Sequence, residues 1–355
     1  MEYPQVSVVI ATLNSEKTLL KALESIRKQS YPSDKIEILD IDGGSKDRTL
    51  EIAKKYKRSL AGYASKCRIL KNPKVDQVYA KHLGWLNSKG KYTLLLDSDE
   101  ALGNRNSIRN KVLTILNDKR VKVVISSGYG SSNTGFQLNS YINEFGDPFS
   151  FFMYRISKDE KFFLKELVRK NDVIYENSKA VVFDFSGEVD PPFIELTSMG
   201  VLIDREYIKS NFTEVFESIS VHTHLFYLLH SKKCLFAVMK HDPIIHRPAY
   251  SLSSYLKKIN SRIKNNIYGT SMGYAGFTGR EKYQQFWHGI KKFLFIPYNL
   301  LVFPVLADCL LLSIRKRKPV YLMHIVLSFY TLFAIVFYYL LKAFRVKVKL
   351  AGYGT

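Results

Sequence analysis

Apolar and polar positions along this chain follow two alternating patterns. Val6 to Ala11 is a near-continuous run of β-formers, as in a strand buried on both faces of a parallel sheet. Ser15 to Gln29 then repeats apolar residues at helical spacing (Leu19, Leu20, Leu23, Ile26), with Asn14 or Ser15 as cap. Lys35 to Ile41 predicts a second strand, Asp47 to Tyr56 a second helix and Arg68 to Lys71 a short third strand. Asp76 to Asn87 predicts a third helix, Tyr92 to Leu96 a fourth strand and Val121 to Ser126 a further one. Strands alternating with helices imply an α/β, doubly wound, mostly parallel sheet with ligands at the strands' carboxyl ends.

Past Gly128 the alternation loosens. Asn133 to Phe152 is aromatic and interrupted, as in a lid or acceptor region, and Phe193 to Ile208 and Val215 to Leu229 return to order. Ser251 to Ile267 is amphipathic, with Leu252, Tyr255, Leu256, Ile259, Ile263 and Ile267 on one face. Lys257, Lys258, Arg262 and Lys264 lie elsewhere on it, so it reads as an interfacial helix. Phe293 to Ile314 and Val320 to Leu341 each reach the roughly 20 residues that cross a bilayer. They predict two transmembrane helices, the first also readable as a re-entrant segment because Pro297, Pro304 and Asp308 need partners in lipid. Every flank is basic (Lys291, Lys292, Arg315 to Lys318, Lys342, Arg345, Lys347, Lys349), so the positive-inside rule finds no asymmetry.

Composition narrows the function classes. The 355 residues are 46% hydrophobic and 14% aromatic, which excludes global disorder. A formal net charge of +21 calls for a polyanion: nucleic acid, an anionic membrane surface or a phosphorylated substrate. Cys67, Cys234 and Cys309 have no disulfide or zinc spacing and suit a reducing cytosolic setting. The amino terminus reads as direct entry into the first strand rather than a targeting segment.

The candidate chemistry sits at three strand ends. The first supplies Thr12 and Asn14, the second Asp42-Gly43-Gly44, the fourth Asp97-Ser98-Asp99. Residues i and i+2 of a strand share a side, so Asp97 and Asp99 can converge on Mg²⁺ or Mn²⁺ together with substrate phosphates. Gly43 and Gly44 allow close backbone approach, and Asp42 offers a carboxylate to a base or ribose. Neither a P-loop nor a dinucleotide fingerprint occurs.

Four segments, VSVVIATLNSEKTLLKALESI, IEILDIDGGSKDRTLEIA, VYAKHLGWLNSKGKY and LLLDSDE, resemble family 2 glycosyltransferases of the GT-A fold over about the first 100 residues. The resemblance implies Thr12, Asn14, Asp42, Gly43, Lys81 and Asp97 as nucleotide-sugar residues, and Asp97, Asp99 and His246 at the metal. Gly43 stands where a second acid is usual. Val221-His222-Thr223-His224 occupies the place of an expected Glu-Asp pair, leaving His222 or His224 as base. An acceptor that is itself a phosphate, as in polyprenyl- or dolichyl-phosphate sugar synthases, needs none. Gln284-Gln-Phe-Trp287 is a faint echo of QxxRW, which disfavours processive synthesis.

These readings imply a metal-dependent inverting hexosyltransferase taking GDP- or UDP-hexose to a polyprenyl-type lipid phosphate or lipid-linked glycan. Arg247, Lys257, Lys258 and Arg262 would hold the acceptor phosphate. The expected layout is a catalytic domain over 1–250 (nucleotide half 1–100, acceptor half 101–250), an interfacial segment 251–292, a membrane hairpin 293–342 and a basic tail 343–355. It would be multi-pass in the cell membrane, with the catalytic domain facing the cytoplasm. A non-catalytic membrane scaffold that keeps the fold is the competing class. A nucleic-acid binder rests on charge alone, and no binding module appears, so nucleic acid is not an expected partner.

Overall fold

The computed structural model describes residues 2–60, 66–74, 76–130, 137–186, 192, 194–247, 251–269, 286–348 and 350. β1 (Val6–Thr12) is covered on both faces, with Val6, Val8, Val9 and Ile10 inaccessible. Helices then alternate with strands: α1 (Leu19–Arg27), β2 (Ile36–Asp42), α2 (Thr49–Ser59), β3 (Lys66–Lys71), α3 (Gln77–Asn87) and β4 (Tyr92–Asp97). α1 turns Leu19, Ala22, Leu23 and Ile26 inward, as its periodicity requires. It begins later than Ser15, whose carbonyl accepts from the Thr18 N–H at 3.0 Å and the Leu19 N–H at 2.9 Å in the turn that leads into it. Asp76 caps α3, its carboxylate accepting from the Tyr79 N–H at 2.8 Å. Gly84 lets α3 lie directly on β1, since a Cβ there would stand 2.2 Å from Val9 Cγ1.

The chain continues through β5 (Glu100–Leu102), α4 (Ser107–Asn117), β6 (Val121–Ile125), β7 (Tyr129–Gly130), α5 (Gln137–Phe145), α6 (Pro148–Tyr154), α7 (Phe163–Lys170), β8 (Val173–Glu176) and β9 (Ala180–Phe183). Next come β10 (Val201–Asp204), α8 (Arg205–Asn211), α9 (Glu214–Glu217), α10 (Leu225–Ser231), β11 (Leu235–Met239) and β12 (Ile244–His246). Among the described residues, nine strands form one sheet in the order β3-β2-β1-β4-β10-β6-β11-β9-β8. The β3-β2-β1-β4 block is parallel, as expected. Beyond it the sheet is mixed rather than mostly parallel, because β10 runs antiparallel to both β4 and β6 and β9 antiparallel to β11. A small second sheet, β5-β12-β7, sets His246 opposite Glu100.

The remaining helices are α11 (Leu252–Tyr268), α12 (Phe286–Lys291), α13 (Phe295–Leu300), α14 (Phe303–Lys316) and α15 (Met323–Ala343). The chain divides into two compact units, and the division departs from the boundary expected at residue 250. Met1–Ser132 and Asp159–Ala249 form the first; Asn133–Lys158 groups with Tyr250–Ala351 in the second. Gln284, Gln285, Lys349 and residues 351–355, including parts of the expected interfacial segment and basic tail, lie outside the described residues.

In the second unit, α5 and α6 share apolar cores with the carboxyl-terminal helices: Tyr141, Phe145 and Phe151 with Tyr255, Tyr321 and Leu327, and Met153 with Phe295 and Val305. Among the described residues, one helix, Pro319–Ala343, has the length and apolarity to cross a membrane (mean hydropathy 2.1). The expected first transmembrane helix is not a straight span. Gly289–Leu300 and Phe303–Lys316 meet at 88°, with Val302 at φ 59° between them. Asp308, midway along that segment, is met by Arg155 Nη1 at 2.6 Å and by the Tyr298 hydroxyl at 2.7 Å. α11 carries Lys257, Lys258, Arg262 and Lys264, and each cation costs about 2.5–3.5 kcal/mol at the centre of a bilayer. α11 is therefore not a crossing helix.

Candidate active site

Four chain segments of the first unit meet at the carboxyl ends of β1, β2 and β4. Asn14 follows β1 at φ 49°, a left-handed position that Asn tolerates better than most residues. Its backbone N–H donates to Ser45 Oγ at 2.9 Å, and its Oδ1 accepts from the Lys46 N–H at 2.9 Å. Thr12 donates its hydroxyl to Asp40 Oδ1 at 2.6 Å, and the Gly43 N–H donates to the Thr12 carbonyl at 2.8 Å. Asp42 accepts from the Gly44 N–H at 2.9 Å and from the Ser45 N–H at 3.1 Å. Gly44, at φ 87°, supplies the turn that brings those donors round. The carboxylate of Asp42 thus orders its own loop. Burial pushes Asp40 up to about 7, against the hydrogen bond from Thr12 that lowers it.

The two acids of the Asp97-Ser98-Asp99 motif are held differently. Asp97 Oδ1 stands 2.9 Å from the buried Lys81 ammonium and accepts from Gln77 Nε2 at 2.8 Å. Lys81 also donates to the Leu96 carbonyl. Asp97 is thereby matched by a cation of its own chain through Oδ1. Asp99 Oδ2 instead faces His246 Nε2 at 3.3 Å, with their side chains 21% and 12% exposed. The Arg247 N–H donates to the Asp99 carbonyl at 2.9 Å. Arg247 Nε is buried and without a hydrogen-bond partner.

Glu100 and Tyr129 complete this corner, and the sequence reading did not single them out. Glu100 is 1% exposed. Its carboxylate accepts from the Asp97 N–H at 3.0 Å, the Met199 N–H at 3.0 Å and the Tyr129 hydroxyl at 2.8 Å. Burial, then the neighbouring Asp97, pushes it up to about 7. The Tyr129 ring stacks on His246 with centroids 4.6 Å apart. Lys111 and Asp242, a fully buried pair at 2.9 Å, anchor the approach to β12 and hence to His246. The acid directly after the motif was the available signal for Glu100. Nothing local marks Tyr129, which arrives through the pairing of β7 with β12.

His222 and His224 do not stand at this edge as bases. They are 2% and 3% exposed. His222 Nε2 lies 3.0 Å from His82 Nδ1, beside the Trp85 ring, and burial, then His82, pulls it down to about 3. Its imidazole is packed in the core. Lys257, Lys258 and Arg262 belong to α11 of the second unit, where Arg262 faces Asp147 at 3.5 Å.

Among the described residues, no three His, Cys, Asp or Glu side chains converge as a ready-made metal cage. The pair Asp99 and His246 still fits a cation whose other ligands are phosphate oxygens, which is how such ions are commonly held. An imidazole nitrogen beside a carboxylate suits Mn²⁺ better than Mg²⁺.

Comparison with known proteins bears on family and fold. The family described as Glycosyl transferase family 2 matches residues 7–169. A dolichyl N-acetyl-alpha-D-glucosaminyl phosphate 3-beta-D-2,3-diacetamido-2,3-dideoxy-beta-D-glucuronosyltransferase of Methanococcus voltae is 32% identical over 109 residues, 31% of this chain and 33% of that protein. Glycosyltransferase AglE of Haloferax volcanii is 31% identical over 96 residues, 27% of this chain and 31% of that protein. The aligned part is thus about a third of each relative's length. Mannosyltransferase PcManGT from Pyrobaculum calidifontis, solved with GDP-Man and Mn²⁺, superposes with a TM-score of 0.52 at 13% identity over 94% of this chain and 87% of that one. The likeness establishes a GT-A-like α/β fold.

Proposed function

We propose that this chain, whose residues 7–169 match glycosyl transferase family 2, is a metal-dependent inverting transferase that moves a hexose from a nucleoside-diphosphate sugar to a lipid-linked acceptor at a membrane. The observation that carries the reading is the single edge at which Thr12, Asn14, Asp42, Asp97, Asp99 and His246 are gathered. A GDP- or UDP-sugar would lie along it, its base and ribose toward the Asp42 loop and its diphosphate toward Asp99. Asp99 and His246 would hold Mn²⁺ or Mg²⁺, which on binding neutralises the charge of the leaving diphosphate.

Lys81 fixes Asp97, and Glu100 fixes the Asp97 N–H, so the turn that presents Asp99 is rigid before substrate arrives. Arg247, tied through its backbone to Asp99 and with an unpartnered Nε, adds a cation for phosphate oxygens. In the transfer an acceptor oxygen forms a bond to the anomeric carbon while the bond from that carbon to the diphosphate oxygen breaks, releasing a nucleoside diphosphate. A hydroxyl acceptor must also lose a proton to a base. Because His222 and His224 are buried, an acceptor already ionised, a polyprenyl or dolichyl phosphate, is the favoured one. The name of the Methanococcus relative describes transfer to a dolichyl-phosphate-linked sugar and supports a lipid-linked glycan as the second reading.

Membrane attachment is supported by the apolar helices of the second unit. Cys67 and Cys234 of the first unit, buried and outside any disulfide, suit a catalytic unit facing the cytoplasm. The test is incubation of the purified chain with GDP- and UDP-hexoses, Mn²⁺ or Mg²⁺, and polyprenyl phosphate, followed by mass analysis of the lipid. A sugar-phosphate lipid supports the first acceptor and a lengthened lipid-linked glycan the second. Undiminished transfer by an Asp97→Ala/Asp99→Ala double variant would sink the site assignment.

A further inference from the structure

The second unit holds an apolar surface, a set of basic flanks and a chain path that fit one partner. From these we infer that it embeds in a single leaflet of an anionic bilayer and crosses it nowhere. The inference takes from the proposed function only the attachment to a membrane.

The path comes first. Both ends of the bent α13–α14 pair return to the same short stretch, α5 and α6. At the entry, Lys291 Nζ donates to the Met153 carbonyl at 2.5 Å, and Phe295 packs edge-on against Phe149 at 5.1 Å. At the exit, Lys316 pairs with Glu144 at 2.5 Å, and Lys318 donates to Ser140 Oγ at 3.1 Å. Between them the bend presents Leu300, Leu301 and Phe303, 65%, 68% and 77% exposed. A segment whose ends share one anchor and whose tip is bare and apolar dips into hydrocarbon and returns. Asp308 agrees with a shallow dip, because Arg155 at the end of α6 reaches it.

α15 is long enough to cross, but it has a companion. α11 lies alongside it in parallel: the Tyr330 hydroxyl donates to the Leu256 carbonyl at 3.3 Å, Asn260 Nδ2 to Tyr338 Oη at 2.9 Å and Lys342 Nζ to the Ile267 carbonyl at 2.7 Å. A crossing α15 would carry most of α11, with its four cations, through the bilayer. Lying in the leaflet plane, the pair keeps those cations at headgroup depth, while Val326, Phe333, Phe337 and Leu340 reach the acyl chains. The absence of any charge asymmetry among the flanks then follows, since all of them stay on one side. A groove of about 560 Å³ at the far end of α15, lined by Tyr268, Lys342, Arg345 and Lys347 among others, gives an anionic headgroup a place there.

The test is side-specific labelling. Ser253→Cys on α11, Arg315→Cys in the last turn of α14 and Lys347→Cys after α15, each exposed, are introduced singly into the full chain. Sealed membrane vesicles are treated with an impermeant maleimide before and after permeabilisation. All three positions labelling from one face is the expected result. Two spans predict residue 315 protected from the face that labels 253 and 347, and one span predicts 347 protected; either pattern overturns the inference. Recovery of the chain in the soluble fraction overturns membrane attachment itself. Labelling does not depend on transfer, so an Asp99→Ala background gives the same pattern if only the enzymatic reading is wrong. Purified chain is expected to float with phosphatidylglycerol-containing vesicles at least tenfold better than with phosphatidylcholine alone, and equal flotation overturns the anionic preference.

Discussion

The β4–β5 corner of the first unit and the hairpin of the second both bury charges among apolar residues, yet they are finished differently. In the corner, Asp97 is matched by the buried Lys81 ammonium and Glu100 by three donors, while Asp99 faces the imidazole of His246 rather than a lysine or arginine. In the hairpin, Glu144 meets Lys316 and Tyr321, Asp308 meets Arg155 and Tyr298, and His324 meets Tyr141 and Tyr298. A carboxylate matched by a cation or by several donors fixes architecture; one set against an imidazole, with such matched groups around it, has the donor chemistry to meet a cation and its phosphates. The hairpin network therefore reads as what lets an apolar segment hold an acid and a histidine, not as a second reaction centre.

Breaking a matched pair is expected to have the largest effect. Lys316→Met removes the ammonium that stands 2.5 Å from the buried Glu144 carboxylate, and breaking a buried pair costs about 3–5 kcal/mol. Lys111→Met, which strands Asp242 in the first unit, is expected to cost a similar amount. Thermal melts of the detergent-solubilised chain read both. A loss under about 1 kcal/mol at either site means that water reaches the partner acid, and the contrast between the two kinds of carboxylate fails there. Asp99→Asn attacks the carboxylate set against His246. It removes a ligand charge but keeps the shape, so folding is expected to survive while transfer falls about 10²–10³-fold, the scale of losing one strong electrostatic contact. A melt as damaged as that of Lys316→Met would mean that Asp99 is structural as well.

The two regions also differ in how much of them the sequence disclosed. β1, β2 and β4 were legible because buried parallel strands write continuous apolar runs, and the acids at their ends stand one residue apart. Glu100 was adjacent to the motif and still passed over, because its task is to hold backbone donors, which leaves no spacing signature. The burial of His222 had no local signal, because it depends on α3 and Trp85, far away in sequence. In the second unit hydropathy located the apolar helices. It could not reveal the break at Val302 or the grouping of 133–158 with residues beyond 250, since both depend on long-range packing.

Asp40 gives the comparison a pH axis. It is buried on β2 beside Thr12 and raised to about 7 from an ordinary 3.8. Between those values the folded state holds the proton more tightly than the unfolded chain, so this group's contribution is complete below about pH 4 and declines as pH rises toward 7. The decline is expected to be on the order of a few kcal/mol. Asp40→Asn, which keeps an acceptor for Thr12, is expected to flatten it. Urea unfolding of the metal-free chain at pH 4.5, 5.5 and 7 measures the slope. An unchanged slope in the variant would assign the pH dependence elsewhere.

The smallest expected effect is at His222, and it decides which half of the site is still missing. A general base contributes roughly 10²–10⁴-fold to a rate. An imidazole pulled down to about 3 by burial is neutral at pH 7 and is a poor proton acceptor there; it also lies against His82 rather than an open crevice. His222→Gln is therefore expected to lower kcat less than about tenfold and to leave the pH profile of transfer unchanged between pH 5 and 7. The lost contact with His82 is expected to cost about 1 kcal/mol of stability. A folded His222→Gln chain with kcat down more than about a hundredfold and KM unchanged would restore His222 as the base and move the favoured acceptor from a lipid phosphate to a sugar hydroxyl. Retained activity leaves the acceptor's own ionised oxygen as the nucleophile, with Asp99, His246 and Arg247 acting on the phosphates.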